Sequence, residues 1–323
     1  MLYAAGPARY HAHVNRLSTT AEMCPPGVDM VAAYRARRAR YAEAARLREL
    51  DGAVAWLRQQ GLVFLFPQAG IPLPSLWEGV NGGPRPLPQH THHDPALGRL
   101  WHWKDTILAE GQLYYGKALR GHPGFINRDL LPLFYAMAGR LGDEDDHDQA
   151  YRAGLLSDDA RRVCQAVVEH GPATTGDLRR RSGLSGRGEP SRRFERAIAE
   201  LQRGLFIVPV AVADTNAWKY CFVYDLLPRR FPLEVERAST LPARQARREL
   251  MLVYLEVVGA DTLDNLAKLV GQPVAQTRID LAPLINVGQI HVSGDGARAV
   301  VWRPELFDVG GERHREVLSE VRG

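Results

Sequence analysis

From residue 157 onward the apolar positions change period in a fixed order. Ala160, Val163, Cys164, Val167 and Val168 recur at helical spacing, which predicts a helix with one buried face, from a Ser157 cap to about His170. Gly171-Pro172 ends it. Thr174 or Thr175 caps a short second helix through Leu178 to about Arg181, and Ser182 to Gly186 is the turn after it. Phe194, Ala197, Ile198 and Leu201 mark a third helix, from about Ser191 to Arg203. Leu205–Val212 and Trp218–Tyr224 then read as two strands around an Asp214-Thr215-Asn216 turn. Three helices followed by a hairpin is the order of a winged helix-turn-helix.

Residues 244–303 repeat that order in a different sequence. A helix over Gln245–Val258 ends at Gly259, Asp261 caps a second helix, Gly271 turns the chain, and a third helix starts near Pro273. Gln289–Val292 and Ala299–Trp302 flank a Gly294-Asp295-Gly296 turn. Two such units in tandem are more informative than one. The expected fold class is α+β, with tandem winged helix-turn-helix domains. The expected organisation is an extension over 1–33, a divergent winged-helix and aromatic segment over 34–142, and an acidic linker over 143–156. Winged helices follow over 157–236 and 237–310, then a tail over 311–323. Within the first of these, Tyr34–Arg48 reads as a helix rich in Arg and Ala, and Ser75–Val80 as a short helix in a Pro-, Gly- and His-rich loop.

The charge pattern sharpens this. The chain has 323 residues and a formal charge of +4, and its basic residues are nearly all arginine, with Lys104, Lys117, Lys219 and Lys268 the only lysines. A GC-rich genome accounts for arginine in place of lysine; guanidinium recognition of phosphate accounts for it equally. Placement separates the two. Residues 179–203 hold eight Arg against three Glu, on the predicted third helix and the turn before it, the part of the motif that enters a DNA groove. Arg187, Arg192, Arg193 and Arg196 are therefore the expected phosphate contacts. The alternatives are a solvated face and a protein-contact module. The third helix of the second repeat carries Arg278 and Asp280, is nearly neutral, and reads as a packing or dimer-type module.

Residues 60–137 add aromatic surface. Trp77 and Trp103, with Lys104, Lys117 and Arg120, form a candidate platform that stacks a base and grips a phosphate; the alternative is a core and its ion pairs. Glu78 and Asp105 are carboxylates beside tryptophan, where low dielectric raises a pKa towards that of a base. The three cysteines lie far apart, which fits a reducing cytoplasm and argues against a disulfide scaffold. His90, His92, His93, Asp94 and His102 sit in a Pro-rich loop without helical ligand spacing and read as a solvent loop, so no metal is expected. There is no phosphate-loop motif, no secretory leader in Met1–Tyr10, and no apolar run long enough to span a membrane. No cofactor and no membrane partner are expected.

GLVFLFP (61–67), LPSLWEGV (73–80), WHWKD (101–105), YYGKALRG (114–121), the Arg-rich unit and YDLLPRRFP (224–232) form an ordered set. This set resembles the AlkZ-type (YcaQ-type) winged-helix DNA glycosylases, in the AlkZ-related branch. The resemblance implies winged helices around a DNA channel, and hydrolytic removal of alkylated or crosslinked bases from duplex DNA. It also implies a Gln-x-Gln or Gln-x-Asp pair that holds the attacking water. At the matching positions this chain has Phe64 and Phe66, which neither donate nor accept. The expected function is a duplex DNA-binding protein related to those glycosylases, weakly catalytic or non-catalytic. The alternatives are a glycosylase with its chemistry relocated to Glu78 or Asp105, and a transcriptional regulator.

Overall fold

A computed structural model of the chain describes residues 24–88, 94–214 and 220–307. The chain is an α+β protein. Among the described residues the first helix is α1 (Val28–Arg38), which is shorter than the predicted Tyr34–Arg48 helix and lies earlier. Ala39 closes it and Arg40 turns left-handed at φ 62°. Strong helix formers do not carry a helix through a residue in that conformation.

The first unit follows: α2 (Leu50–Gln60), β1 (Leu62–Phe64), α3 (Leu76–Asn81), α4 (Pro95–Glu110), β2 (Tyr114–Leu119) and β3 (His122–Ile126). Two linking helices, α5 (Leu131–Ala138) and α6 (Asp146–Arg152), lead to the second unit. The acidic run around Asp143–Asp148 thus opens a helix, with Asp146 and Asp148 in its first turn, where the helix dipole favours negative charge. The second unit comprises α7 (Asp158–His170), β4 (Ala173–Thr174), α8 (Thr175–Arg181), α9 (Glu189–Arg203), β5 (Ile207–Ala213) and β6 (Cys221–Leu226). The predicted turn at Thr215-Asn216 lies outside the described residues. After α10 (Leu227–Arg230) and α11 (Pro232–Ser239), the third unit comprises α12 (Ala243–Val258), β7 (Ala260–Thr262), α13 (Leu263–Val270), α14 (Val274–Asn286), β8 (His291–Ser293) and β9 (Val300–Trp302).

Each unit runs helix, strand, helix, helix, strand, strand, and each sheet is antiparallel with its last strand in the middle: β1-β3-β2, β4-β6-β5 and β7-β9-β8. The first unit therefore has the full winged-helix order. Local chemistry sets the helix starts. Ser157 accepts from Ala160 N and Thr174 from Asp177 N. In the third unit the cap is Thr262, accepting from Asn265 N, and not the expected Asp261. Asp261 lies one residue earlier, on β7, and accepts from Tyr254 Oη and Asn265 Nδ2.

Packing joins units one and two reciprocally. The third helix of unit one, α4, lies against β5 of unit two. The third helix of unit two, α9, lies against β2 of unit one, and the two wing strands β2 and β5 meet. Unit two also has its own core, built on Val163, Phe194, Leu201 and Ile207. Unit three instead shares one continuous core with α5, α11 and the inner face of unit one, from Phe64 and Tyr114 through Leu131 and Phe231 to Leu250 and Leu255. Among the described residues no helix is long and apolar enough to cross a membrane.

Candidate nucleic-acid interface

The arginine face is built by two adjoining pieces of unit two. Gly186 (φ 122°) and Gly188 (φ 72°) allow a sharp turn that only glycine adopts freely, and Arg187 stands between them, exposed. Helix α9 begins at the next residue, Glu189, so Arg187 projects beside its N-terminus. Phe194, Ala197, Ile198 and Leu201 face the core at helical spacing, which leaves Arg192, Arg193 and Arg196 outside.

These arginines are held in place by carboxylates of the same unit. Glu189 pairs with Arg192 at 2.9 Å and Arg196 at 2.8 Å. Asp159, in the first turn of α7, takes Arg193 at 2.6 Å and Arg162 at 2.6 Å. The Arg193 hydrogen bond, with Arg162 behind it, holds the Asp159 carboxyl below its ordinary range. Arg196, then Arg192, does the same for Glu189. Such exposed pairs are worth little in water, so a phosphate displaces them at small cost and finds guanidinium groups already oriented. Four arginines (187, 192, 193, 196) face two carboxylates (159, 189), which leaves the patch net positive. Sequence reasoning did not pair Asp159 with Arg193, because the contact joins two helices of the unit; the Asp158-Asp159 doublet opening α7 was the available signal.

The other expected contacts divide. Lys117 is half-buried on β2. Arg120 occupies the β2–β3 turn with Gly121, left-handed at φ 52° and 80°, and its Nη1 reaches across to Asn265 Oδ1 of α13 at 3.2 Å. Arg203, the last residue of α9, lies over that turn, its Cδ 3.2 Å from where a Gly121 Cβ would stand. Trp77, Trp103 and Lys104, by contrast, are core groups and present no stacking surface. Trp77 is wholly buried and donates Nε1 to Arg85 O at 2.7 Å. Trp103 is buried among Leu97, Leu100 and Ile107. Lys104 is wholly buried where α4 meets the unit-two wing. Its Nζ donates to Asp105 Oδ1 and Tyr220 Oη, 5.1 Å from the Trp101 ring centre, 5.5 Å from Tyr115 and 4.7 Å from Phe222. Burial lowers its pKa, and the Asp105 carboxylate opposes that. An ammonium so enclosed closes the joint between two units.

The two candidate catalytic carboxylates are engaged separately. Glu78 is engaged with the cap of α3: Ser75 Oγ accepts from Glu78 N at 3.2 Å and donates to Glu78 Oε2 at 2.6 Å. Tyr41 Oη donates to the other oxygen at 2.7 Å. Glu78 also lines a cleft of about 340 Å³ with Gln68, Arg35 and Arg38, between α1 and the 67–74 loop. Asp105 is bound instead to Lys104 and Tyr220. Phe64 is wholly buried, edge-on to His122 and folded over Gly124, where a Cβ would come within 2.8 Å of Val63 O and 3.3 Å of the Phe64 ring. Phe66 packs against Trp77 and Trp101 at 6.1 and 5.9 Å. Both rings belong to packing. Asp94 caps α4, accepting from Ala96 N and Leu97 N, and His102 is exposed. His90, His92 and His93 lie outside the described residues. Among those described, no group of three His, Cys, Asp or Glu is placed to hold a metal.

The family described as AlkZ related matches residues 47–271 of the chain. No curated protein matches it. Among solved structures it is similar to the Streptomyces sahachiroi DNA glycosylase AlkZ, at 11% identity and a TM-score of 0.49, over 89% of this chain and 71% of that one. The family match covers more than two thirds of the sequence and all of units one and two, and the chain belongs to the AlkZ-related family.

Proposed function

We propose that this protein binds duplex DNA through the arginine face of α9 and does not cleave the glycosidic bond. What carries the reading is the cluster Arg187, Arg192, Arg193 and Arg196 on the exposed side of the third helix of unit two. Lys117 and Arg120, on the unit-one wing beside the C-terminal end of α9, are the further expected contacts. Membership of the AlkZ-related family supports a role connected with DNA-repair glycosylases. The absence of catalysis is argued from chemistry. Phe64 and Phe66 stand where the resemblance implies a water-holding pair, and a phenyl ring offers water no hydrogen bond. The Glu78 and Asp105 carboxylates are each engaged by their own partners, one in a helix cap and one in a joint between units.

The test is the salt dependence of affinity for a short duplex. Each phosphate contact contributes about one unit to the slope of log affinity against log salt, so R192A/R193A/R196A lowers the slope by about three. Affinity that is absent, or a slope unchanged in the variant, overturns the assignment. In parallel, alkylated duplex is expected to release no free base above background. Release that Glu78→Gln or Asp105→Asn abolishes would make the protein an enzyme instead.

A further inference from the structure

Units one and two reveal how this topology pairs: the third helix of each covers the wing strand of the other, and their sheet edges β2 and β5 meet. Unit three has the same topology, and among the described residues nothing covers its corresponding surface. Helix α14 packs on α12 and α13 of its own unit. Its outer side carries Ala275, Ile279, Ala282, Pro283 and Ile285, and Val287 follows at its end, all exposed. Ile279 is 53% and Val287 68% accessible. The neighbouring β8 is an outer strand of its sheet, and among the described residues no strand pairs with its free edge.

The charge on that face suits self-association. Asp280 points inward, fully buried, and is neutralised by Arg244 at 2.7 Å and Arg247 at 3.3 Å. That leaves Arg278 as the one charged residue on the exposed side of α14. The α9 face is dense in arginine and repels its own copy; the α14 face does not. An apolar patch beside an open strand edge is a site for another chain.

We infer that a second copy of this chain docks on α14 and β8, so that the two third units pair about a twofold axis. The pairing repeats the reciprocal helix-on-wing packing of units one and two inside each chain. A twofold contact uses the same patch on both partners, and the internal pair establishes that two winged helices of this protein fit together in that way.

The experiment is sedimentation velocity on the full chain across a range of concentrations. A dimer is expected. Ile279→Glu places a charge on the patch of both copies and is expected to weaken the dimer at least about 100-fold. Because Ile279 is exposed, the variant keeps the wild-type circular dichroism, and its melting temperature matches that of the wild type at concentrations low enough for both to be monomeric. Arg192→Glu, on α9, is expected to leave the dimer intact. A chain monomeric throughout overturns the proposal, as does a dimer indifferent to Ile279→Glu. A monomer that self-associates only after residues 308–323 are removed also overturns it, and makes that segment the occupant of the face.

Discussion

Cys164 lies in the core of unit two, 1% accessible, and burial pushes its thiol up to about 12. Tyr34, Tyr41, Tyr114, Tyr115, Tyr135, Tyr220, Tyr224 and Tyr254 are all raised as well, each chiefly by burial. For these groups the unfolded chain loses its proton first. The stability they contribute is therefore complete below about pH 9, the ordinary thiol range, and is lost as pH rises through their folded values. Lys104, Arg35 and Arg140 have the opposite sign, since burial lowers their pKa and deprotonation relieves them, but they are three groups against nine. The urea midpoint is expected to fall steadily between pH 9 and pH 12. Native protein at pH 8 is expected to react with thiol reagents at exposed Cys24 and not at Cys164. A flat midpoint, or rapid labelling of Cys164, would contradict this. The sequence placed Cys164 correctly, because a helical stripe carries it inward. It did not place Lys104. Aromatic neighbours made it part of a phosphate-gripping platform, whereas the rings enclosing it come from three separate stretches of chain.

At the scale of the element, α14 illustrates what periodicity leaves out. Arg278 and Asp280 are two residues apart and look like compensating surface charges, yet a helix turns them to different sides. Asp280 gathers Arg244, Arg247, Gln272 and Gln276 around one carboxylate. Burial pushes that carboxyl up, but the hydrogen bonds from Gln272, Arg244, Gln276 and Arg247 outweigh it and hold it below its ordinary range. Asp280→Asn leaves two guanidinium groups and two amides competing for a neutral acceptor. It is expected to destabilise the protein by about 2–4 kcal/mol, read from chemical denaturation. A loss under about 0.5 kcal/mol would place the arginines in solvent instead. The helices and hairpin strands of units two and three were legible from apolar spacing and turn residues to within a few positions, but the short strands β4 and β7 were not. The break at Ala39-Arg40 was not, because nothing in a run of Arg and Ala announces a left-handed residue. The placement of α1 against α12 depends on Tyr34 and Arg35 finding the backbone carbonyls of Glu256, Val258 and Ala260.

For the whole molecule, the division of the cores predicts how the chain dissects. Unit two closes its own core, whereas the inner face of unit one and helix α5 are covered by α12 of unit three. A fragment over 150–230 is expected to unfold cooperatively. A chain ending at residue 240 is expected to keep that unit folded while binding a hydrophobic dye through the uncovered α5. A dye-silent truncation would refute this distribution of the core. Repeated units were legible in their matching element order, but their unequal independence was not, because which buried face meets which is a property of the assembled chain.

The attachment of α1 has a consequence for how the protein is made. Tyr34 and its carbonyl partner on Glu256 are 222 residues apart. A ribosome releases the N-terminal helix first, and its docking surface emerges only after most of the chain has been synthesised. At about 5–20 residues per second, α1 is without that surface for roughly ten seconds or more. Unit two, closed on itself, completes its core in the interval. Helix α1, made long before α12, is thus among the last of these elements to settle, and newly made chains present it to chaperones and proteases during synthesis.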